Sequence, residues 1–383
     1  MLDRLDEIPW KTLNHAYGSA ADVPKLLRAL AGAGQRQEDA LYELHGNIWH
    51  QGTVYEASSY AVPFLIELAA EPSLTRRDEI LGLIGALANG NSYLEVHTEP
   101  DTKTGEFFRR DSNFENRLER EQENVRRTRL AVFEGLDVVC RLLEDPSPMV
   151  RAGAAYVMSR FPEHVLRLGP LLRQAAENEP DPLAHAGMRW CLGAIGDNSP
   201  ESLVLLDTAL ESADPRQTFA AAIASYRVRG ELHSSAMSVC RQMAAATWFA
   251  EAFLVGVPWD FSGEVSLEDL LSEIEPDPVA ATRMLLTSLK EIDRQPDVYS
   301  AIAHDLLQLN FAEGNWRECR RPTSAQKEIL QRLIETDAVW KDAKQLWFLI
   351  PGGAKVISQV GDSDIQRVRD KMRSIVGLAY SSD

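Results

Sequence analysis

Apolar residues recur at three- and four-residue spacing along most of this chain, the period of a helix with one buried face. Leu26, Leu27 and Leu30 follow Asp22 and Pro24. That pattern predicts a helix capped by Asp22, with the proline in its first turn, ended by Gly32 and Gly34. A second helix, from about Glu38, carries Leu41, Leu44 and Ile48. A third opens near Tyr55 and places Phe64, Leu65 and Leu68 on its stripe. Pro63 has no N–H to donate, so it predicts a kink or a restart there. Ile80, Leu83, Ile84 and Leu87 predict a fourth helix over 77–88. Apolar period is then lost over 89–111, which reads as a long loop of the kind that is functional or disordered. The charged stretch over 115–129 reads as a solvated helix leading to Leu130, Phe133 and Leu136. Glu119 and Glu123 with Arg120 and Arg127 lie on its solvent face.

A longer period is superimposed on the helical one. Asp-Pro corners at Asp145-Pro146, Asp181-Pro182 and Asp214-Pro215 fall 36 and then 33 residues apart, each opening an Ala- and Leu-rich helical pair. Units of this size stack into an α-solenoid, in which each packs on its neighbours. Small residues such as Gly153, Ala154 and Gly193 allow close helix approach, and Gly196 ends its helix in a left-handed turn. The third unit, over 214–246, keeps Ala220, Ala221 and Ala222 and is expected to lack the glycine ending. Beyond 247 the pattern diverges around Trp248, Phe249, Phe253 and the Val257-Pro258-Trp259 corner. Asp277-Pro278 then opens another pair through Leu309. Trp340, Trp347 and Phe348, with a turn at Pro351-Gly352-Gly353, suit an atypical terminal cap.

The sequence therefore predicts an all-α protein, an α-solenoid of antiparallel helix pairs forming a right-handed superhelix and a single domain over 1–383. Its parts are a cap and motif block over 1–88, the loop over 89–111, regular repeats over 130–246, and divergent repeats with a cap over 247–383.

Composition narrows the function. Forty Lys and Arg against 57 Asp and Glu give a net charge of −17, which repels phosphate backbones and anionic headgroups and favours a basic protein partner. Cys140, Cys191, Cys240 and Cys319 form no CxxC or Cys/His cluster and read as reduced core residues. The acidic start, without an apolar core, predicts no secretory leader, and apolar runs are too short to span a membrane; a cytoplasmic location follows. Terminal caps favour a monomer.

The corner at Asp181-Pro182, followed by Leu192-Gly193-Ala194-Ile195-Gly196-Asp197, resembles HEAT repeats, in particular the short bacterial type named after phycobilisome lyases. The N-terminal His15-Ala16-Tyr17-Gly18, the run from Leu44 to Ala57 and Ala61-Val62-Pro63-Phe64-Leu65 are similar to a group of bacterial HEAT-repeat-domain proteins. The resemblance implies a binding scaffold, and relatives similar to immunity proteins beside toxin genes. It carries no catalytic residues.

The densest polar and aromatic block is 45–60, with His45, Asn47, Trp49, His50, Gln51, Tyr55, Glu56 and Tyr60. His50 and Glu56 are chemically able to act as an acid–base pair or as two metal ligands, but no HExxH pattern or third ligand accompanies them. Packing around Trp49 and Tyr55, with His50 and Glu56 bonding the backbone, is the structural alternative. Trp and Tyr are also favoured interface anchors, so Trp49, His50, Tyr55, Glu56 and Tyr60 are the expected partner-binding residues. Pro351-Gly352-Gly353-Ala354-Lys355 lacks phosphate-loop spacing and reads as a turn. Arg227 and Arg229, with Arg317, Arg320 and Arg321, are the basic clusters that a DNA-glycosylase-like HEAT protein would use. The sequence thus predicts a non-enzymatic protein-binding scaffold without cofactor or metal, its specific form an immunity-type protein masking a basic toxin. Nucleic-acid binding is the rival.

Overall fold

The computed structural model describes residues 2–98, 109–230, 277–291, 296–311, 316–340 and 362–378. These are mostly helical. The chain divides into two compact units, the first holding the described residues up to 230 and the second those from 277 onward.

The first unit begins with a short hairpin, β1 (Asn14–His15) paired antiparallel to β2 (Gly18–Ser19). Helix α1 (Val23–Leu30) buries Val23, Leu26, Leu27 and Leu30, and α2 (Gln35–Ile48) buries Ala40, Leu41, Leu44 and Ile48. Helix α2 starts three residues ahead of the expected Glu38. Gly34 takes φ +69°, and the fully buried Gln37 earns its place by donating to Leu30 O and Thr75 O while accepting from Thr75 Oγ1. A second hairpin follows, β3 (Trp49–His50) with β4 (Thr53–Val54), turning through Gln51 at φ +49° and Gly52 at φ +85°. Such left-handed positions suit the tight turn.

Helix α3 (Glu56–Ala70) runs unbroken through Pro63, neither restarting nor ending there. Pro63 lies on its exposed side, where carbonyls freed by the missing N–H can bond water. Helix α4 (Arg77–Ala88) matches the predicted span and is buried almost all round, so it is a central element. The expected loop over 89–111 contains α5 (Tyr93–His97), capped by Ser92, whose Oγ accepts from Glu95 N; residues 99–108 lie outside the described residues. The charged stretch forms α6 (Phe114–Glu134), which buries Phe114, Thr128 and Val132. Leu130, expected on the stripe, is 53% exposed. The buried row runs instead from Thr128 through Val132 to Leu136 of α7 (Leu136–Arg141), keeping only Leu136 of the expected stripe.

Five more α-helices follow among the described residues of this unit: α8 (Pro148–Ser159), α9 (Val165–Asn178), α10 (Pro182–Ala194), α11 (Pro200–Leu210) and α12 (Pro215–Arg229). Asp181 and Asp214 cap α10 and α12 with their carboxylates, as the Asp-Pro corners predict; at the first corner the cap position falls to Ser147. Helix α4 packs on α8, α8 on α10, and α10 on α12, while α9 packs on α10 and α11 on α12. Small residues make the row possible: a Cβ on Gly193 would stand 2.3 Å from Ala224 Cα, and one on Gly153 would stand 2.9 Å from Leu81 Cβ. Gly196 ends α10 at φ +75° as expected. The third corner's helix also has the glycine ending thought lost, because Gly230 stands at φ +69° and its N–H bonds Tyr226 O. Residues 231–246, expected to finish that repeat, lie outside the described residues.

Arginines of α4, α8 and α10 reach the corner or first turn that opens the next helix of the row. Arg77 donates to Asp145 Oδ2 at 2.6 Å with both side chains 7% exposed, Arg151 grips Glu179 through two bonds, and Arg189 donates to Gln217 Oε1 at 2.5 Å. Asp145 Oδ1 and Glu179 Oε1 also accept backbone N–H groups of their corners, so each contact ties a turn to its neighbour.

In the second unit α13 (Pro278–Glu291) and α14 (Pro296–Asn310) form the pair predicted from Asp277-Pro278. Helix α15 (Ser324–Glu335) is opened by a capping box between Thr323 and Gln326 and packs on α16 (Asp362–Val376). Trp340, expected in the cap, is buried and donates to Leu333 O at 2.7 Å. Trp248, Phe249, Phe253, Trp259, Trp347, Phe348 and the 351–353 turn lie outside the described residues. Among the described residues no helix is long and apolar enough to cross a membrane.

Candidate functional site

The polar block singled out in the sequence is a braced edge built from both hairpins, the end of α2 and the start of α3. Asp22 does not cap α1 with its side chain. One of its carboxylate oxygens accepts from His15 Nε2 at 3.0 Å and the other from Asn47 Nδ2 at 2.9 Å. His15 is buried, and its Nδ1 accepts from Tyr17 N, which leaves Nε2 as the proton-bearing nitrogen facing Asp22. Asn47 O accepts from Ala16 N, so the first hairpin is fixed to the end of α2. None of this network was legible as such, because its members are separated by up to 32 residues; the sequence signal was the conspicuous His15-Ala16-Tyr17-Gly18 run.

The second hairpin is fixed equally firmly. Ser58 Oγ donates to Ile48 O and accepts from Tyr55 N, while Thr53 Oγ1 bonds both His50 O and the Tyr55 hydroxyl. Asn91 bridges to this hairpin through its N–H to Gly52 O and its carbonyl to Val54 N. Gly90 is required for that approach, since a Cβ there would lie 2.2 Å from Val54 Cγ1.

Against this frame the expected contact residues separate into two faces. His50 Nδ1 meets the Tyr17 hydroxyl at 3.3 Å, with the rings edge-on. Tyr17 is 70% exposed and lies beside Gly46; Tyr42, one turn back on α2, is 81% exposed. Asp39 and Glu43 of α2 are exposed as well. Trp49 packs edge-on against His45 and is half-buried, and its Nε1 is buried without a hydrogen-bond partner. Burial pushes the His45 imidazole down to about 4, so it is neutral near pH 7.

Tyr55 and Glu56 face another way, into a cleft of about 390 Å³ whose far wall is α6. Asn14 completes their side, and Arg117, Arg120, Glu121, Glu123, Asn124 and Arg127 form the other. Glu56 accepts from Asn14 N at 3.3 Å. Tyr60, one turn along α3, receives Arg127 Nη2 on its hydroxyl, with the guanidinium 5.6 Å from the ring centre. Burial raises the Tyr55 phenol above its ordinary range, opposed by its bond to Thr53. His50 and Glu56 thus bond different partners, and no group of three or more His, Cys, Asp or Glu placed to hold a metal occurs among the described residues.

No protein-family model matches the chain, and neither curated proteins nor solved structures yield a match.

Of the basic candidates, Arg320 and Arg321 are exposed, and the other three make contacts within their own units. Arg229 donates to Asp207 at 2.8 Å, and Arg227 lies over the Trp190 ring at 4.3 Å. Arg317 lies over Trp316. Cys191 is buried, its thiol pushed up to about 12 by desolvation, and Cys140 and Cys319 are half-buried free thiols; Cys240 lies outside the described residues.

Proposed function

We propose that the first unit is a HEAT-like α-solenoid, a right-handed superhelix of antiparallel helix pairs, serving as a non-enzymatic protein-binding scaffold. The α4, α8, α10 and α12 row, with arginines tying α4, α8 and α10 each to the start of the next helix, supports the repeat reading. The exposure of Tyr17 and Tyr42 on a rigidly braced edge carries the functional one. Exposed tyrosines held by hydrogen-bonded backbone present large contact area at small entropic cost. His50 holds the Tyr17 ring edge-on, and Trp49 of the same hairpin packs against His45. Asp39 and Glu43 flank Tyr42, and the chain carries −17, so the partner is basic and its association is accelerated at low salt. An immunity-type role, in which that partner is a toxin whose basic face is covered, is the specific form we propose.

Affinity capture by the full chain, followed by rebinding of the captured protein in purified form, tests this reading. A Tyr17→Ala, Tyr42→Ala variant with unchanged helicity should weaken binding at least about tenfold, as central aromatic anchors do. Equal binding by variant and parent would contradict it.

A further inference from the structure

We propose that the cleft between α3 and α6 is a binding site for a small molecule carrying a phosphoryl or carboxylate group, gripped by Arg120 and Arg127. The site is distinct from the Tyr17 and Tyr42 face and does not depend on the partner reading.

The charged side chains lining the cleft differ in what they bond, and of its carboxylates only Glu123 has a cation among the described residues. Glu56 accepts from Asn14 N, Glu121 accepts from Ser92 Oγ and Leu94 N, and Glu123 pairs with Arg126. Arg117 pairs with Asp111. Arg120 bonds only the neutral Asn116 O, through Nε, and Arg127 only the neutral Tyr60 hydroxyl. Two guanidinium groups thus line the cleft without a carboxylate partner among the described residues, in a chain where carboxylates outnumber cations.

Their spacing is suited to one compact anion. Positions 120, 124 and 127 share one face of α6 over two turns, about 10.5 Å at 1.5 Å per residue. Asn124 stands between the arginines and can add an amide donor. Long side chains from two turns apart can converge on the space between them, and the guanidinium fork matches carboxylate and phosphoryl oxygens. The volume falls in the range of small-molecule sites. On the opposite wall, Glu56 and the Asn14 side chain offer acceptors for a hydroxyl or ammonium elsewhere on the ligand.

Thermal unfolding of the purified full chain would be followed with inorganic phosphate, succinate or glutamate, each against sodium chloride at equal ionic strength. The expected result is a saturable rise in Tm, about 3–5 °C at tenfold excess over Kd, beyond that in chloride. It should vanish in an Arg120→Gln, Arg127→Gln variant. Arg120→Gln alone repeats the reading if the double variant does not fold. A response to phosphate alone assigns a phosphoryl group, and one to succinate or glutamate a carboxylate. Shifts equal to those in chloride, or equal in parent and variant, would overturn the proposal.

Discussion

A single methyl group added at two different glycines should move stability in opposite directions. In a helix interior Ala is favoured over Gly by about 0.5–1 kcal/mol. At Gly46 of α2 a Cβ would meet nothing closer than Tyr17 Cε2 at 3.9 Å, an ordinary contact, so Gly46→Ala should realise that gain. At Gly193 of α10 the same methyl would stand 2.3 Å from Ala224 Cα, 2.7 Å from its Cβ and 3.1 Å from its carbonyl oxygen. Carbon atoms rest at about 3.5–4.0 Å, so α10 and α12 would have to part by more than about 1 Å. Backbone cannot swing aside as a side chain does. Overpacking typically costs about 1–3 kcal/mol, and contact with backbone belongs at the upper end, leaving a net loss of about 1–2 kcal/mol after the propensity gain. For a unit of this size that is a fall in Tm of about 2–8 °C, against a rise of about 1–4 °C for Gly46→Ala. Gly153→Ala, with Leu81 side-chain atoms at 2.9 and 3.1 Å, should lie between them. Calorimetric or fluorescence-detected melting of the three variants reads the order directly. If Gly193→Ala stabilised as much as Gly46→Ala, the close packing of α10 on α12 would be refuted, and with it the reason for small residues in the row.

Replacing Asp145 by Asn should cost about 3–5 kcal/mol in urea unfolding, because it leaves the buried Arg77 without its charge partner. A paired Arg77→Met, Asp145→Asn variant should lose less than the sum of the single losses, and strict additivity would contradict the ion pair. Lowering the pH should destabilise the first unit through His45 and His185, both held down to about 4 chiefly by burial. The unfolded chain takes up these protons near pH 6.5 while the folded chain does not, so stability from these groups is complete above that value and falls as pH drops toward 4. Urea midpoints between pH 7.5 and 4.5 would show this, and His45→Gln should flatten part of the slope; an unchanged slope would contradict His45 as a contributor. Asp22→Ala, which strands His15 and Asn47, should cost about 2–4 kcal/mol and raise amide exchange at Tyr17, whereas a neutral effect would mean the brace is dispensable.

Helix existence was legible because it rests on local period: the span of α4 was predicted without error, and the Asp-Pro corners marked the starts of α10 and α12 through the cap chemistry of Asp181 and Asp214. Errors arose where tertiary partners overrode local preference. Asp22 sits at a helix start but spends both oxygens on His15 and Asn47. Pro63 passes through α3 on its exposed side, where the helix can tolerate one missing backbone bond. Helix α5 was hidden in a polar stretch because five residues are too few to show a period. At the site, the density of polar and aromatic residues over 45–60 located the edge but not its organisation. Only the fold reveals that His50 turns to Tyr17 while Glu56 turns to the cleft. Arg120 and Arg127 read as solvent-facing charges and are exposed, but nothing local says that α3 lies opposite them. The arginine ladder was missed for the same reason, since Arg77 and Asp145 are 68 residues apart.

The Tyr17 and Tyr42 edge is the proposed meeting face for a basic protein partner. A photo-crosslinking amino acid placed at Tyr42, with a control at the exposed Glu328 of α15, tests it most directly in native lysate. One dominant basic adduct is expected at position 42, weakened by raised salt and by Tyr17→Ala, and absent at position 328. The same adducts at both positions, or none at position 42 while the chain still captures its partner, would place the contact elsewhere and contradict it.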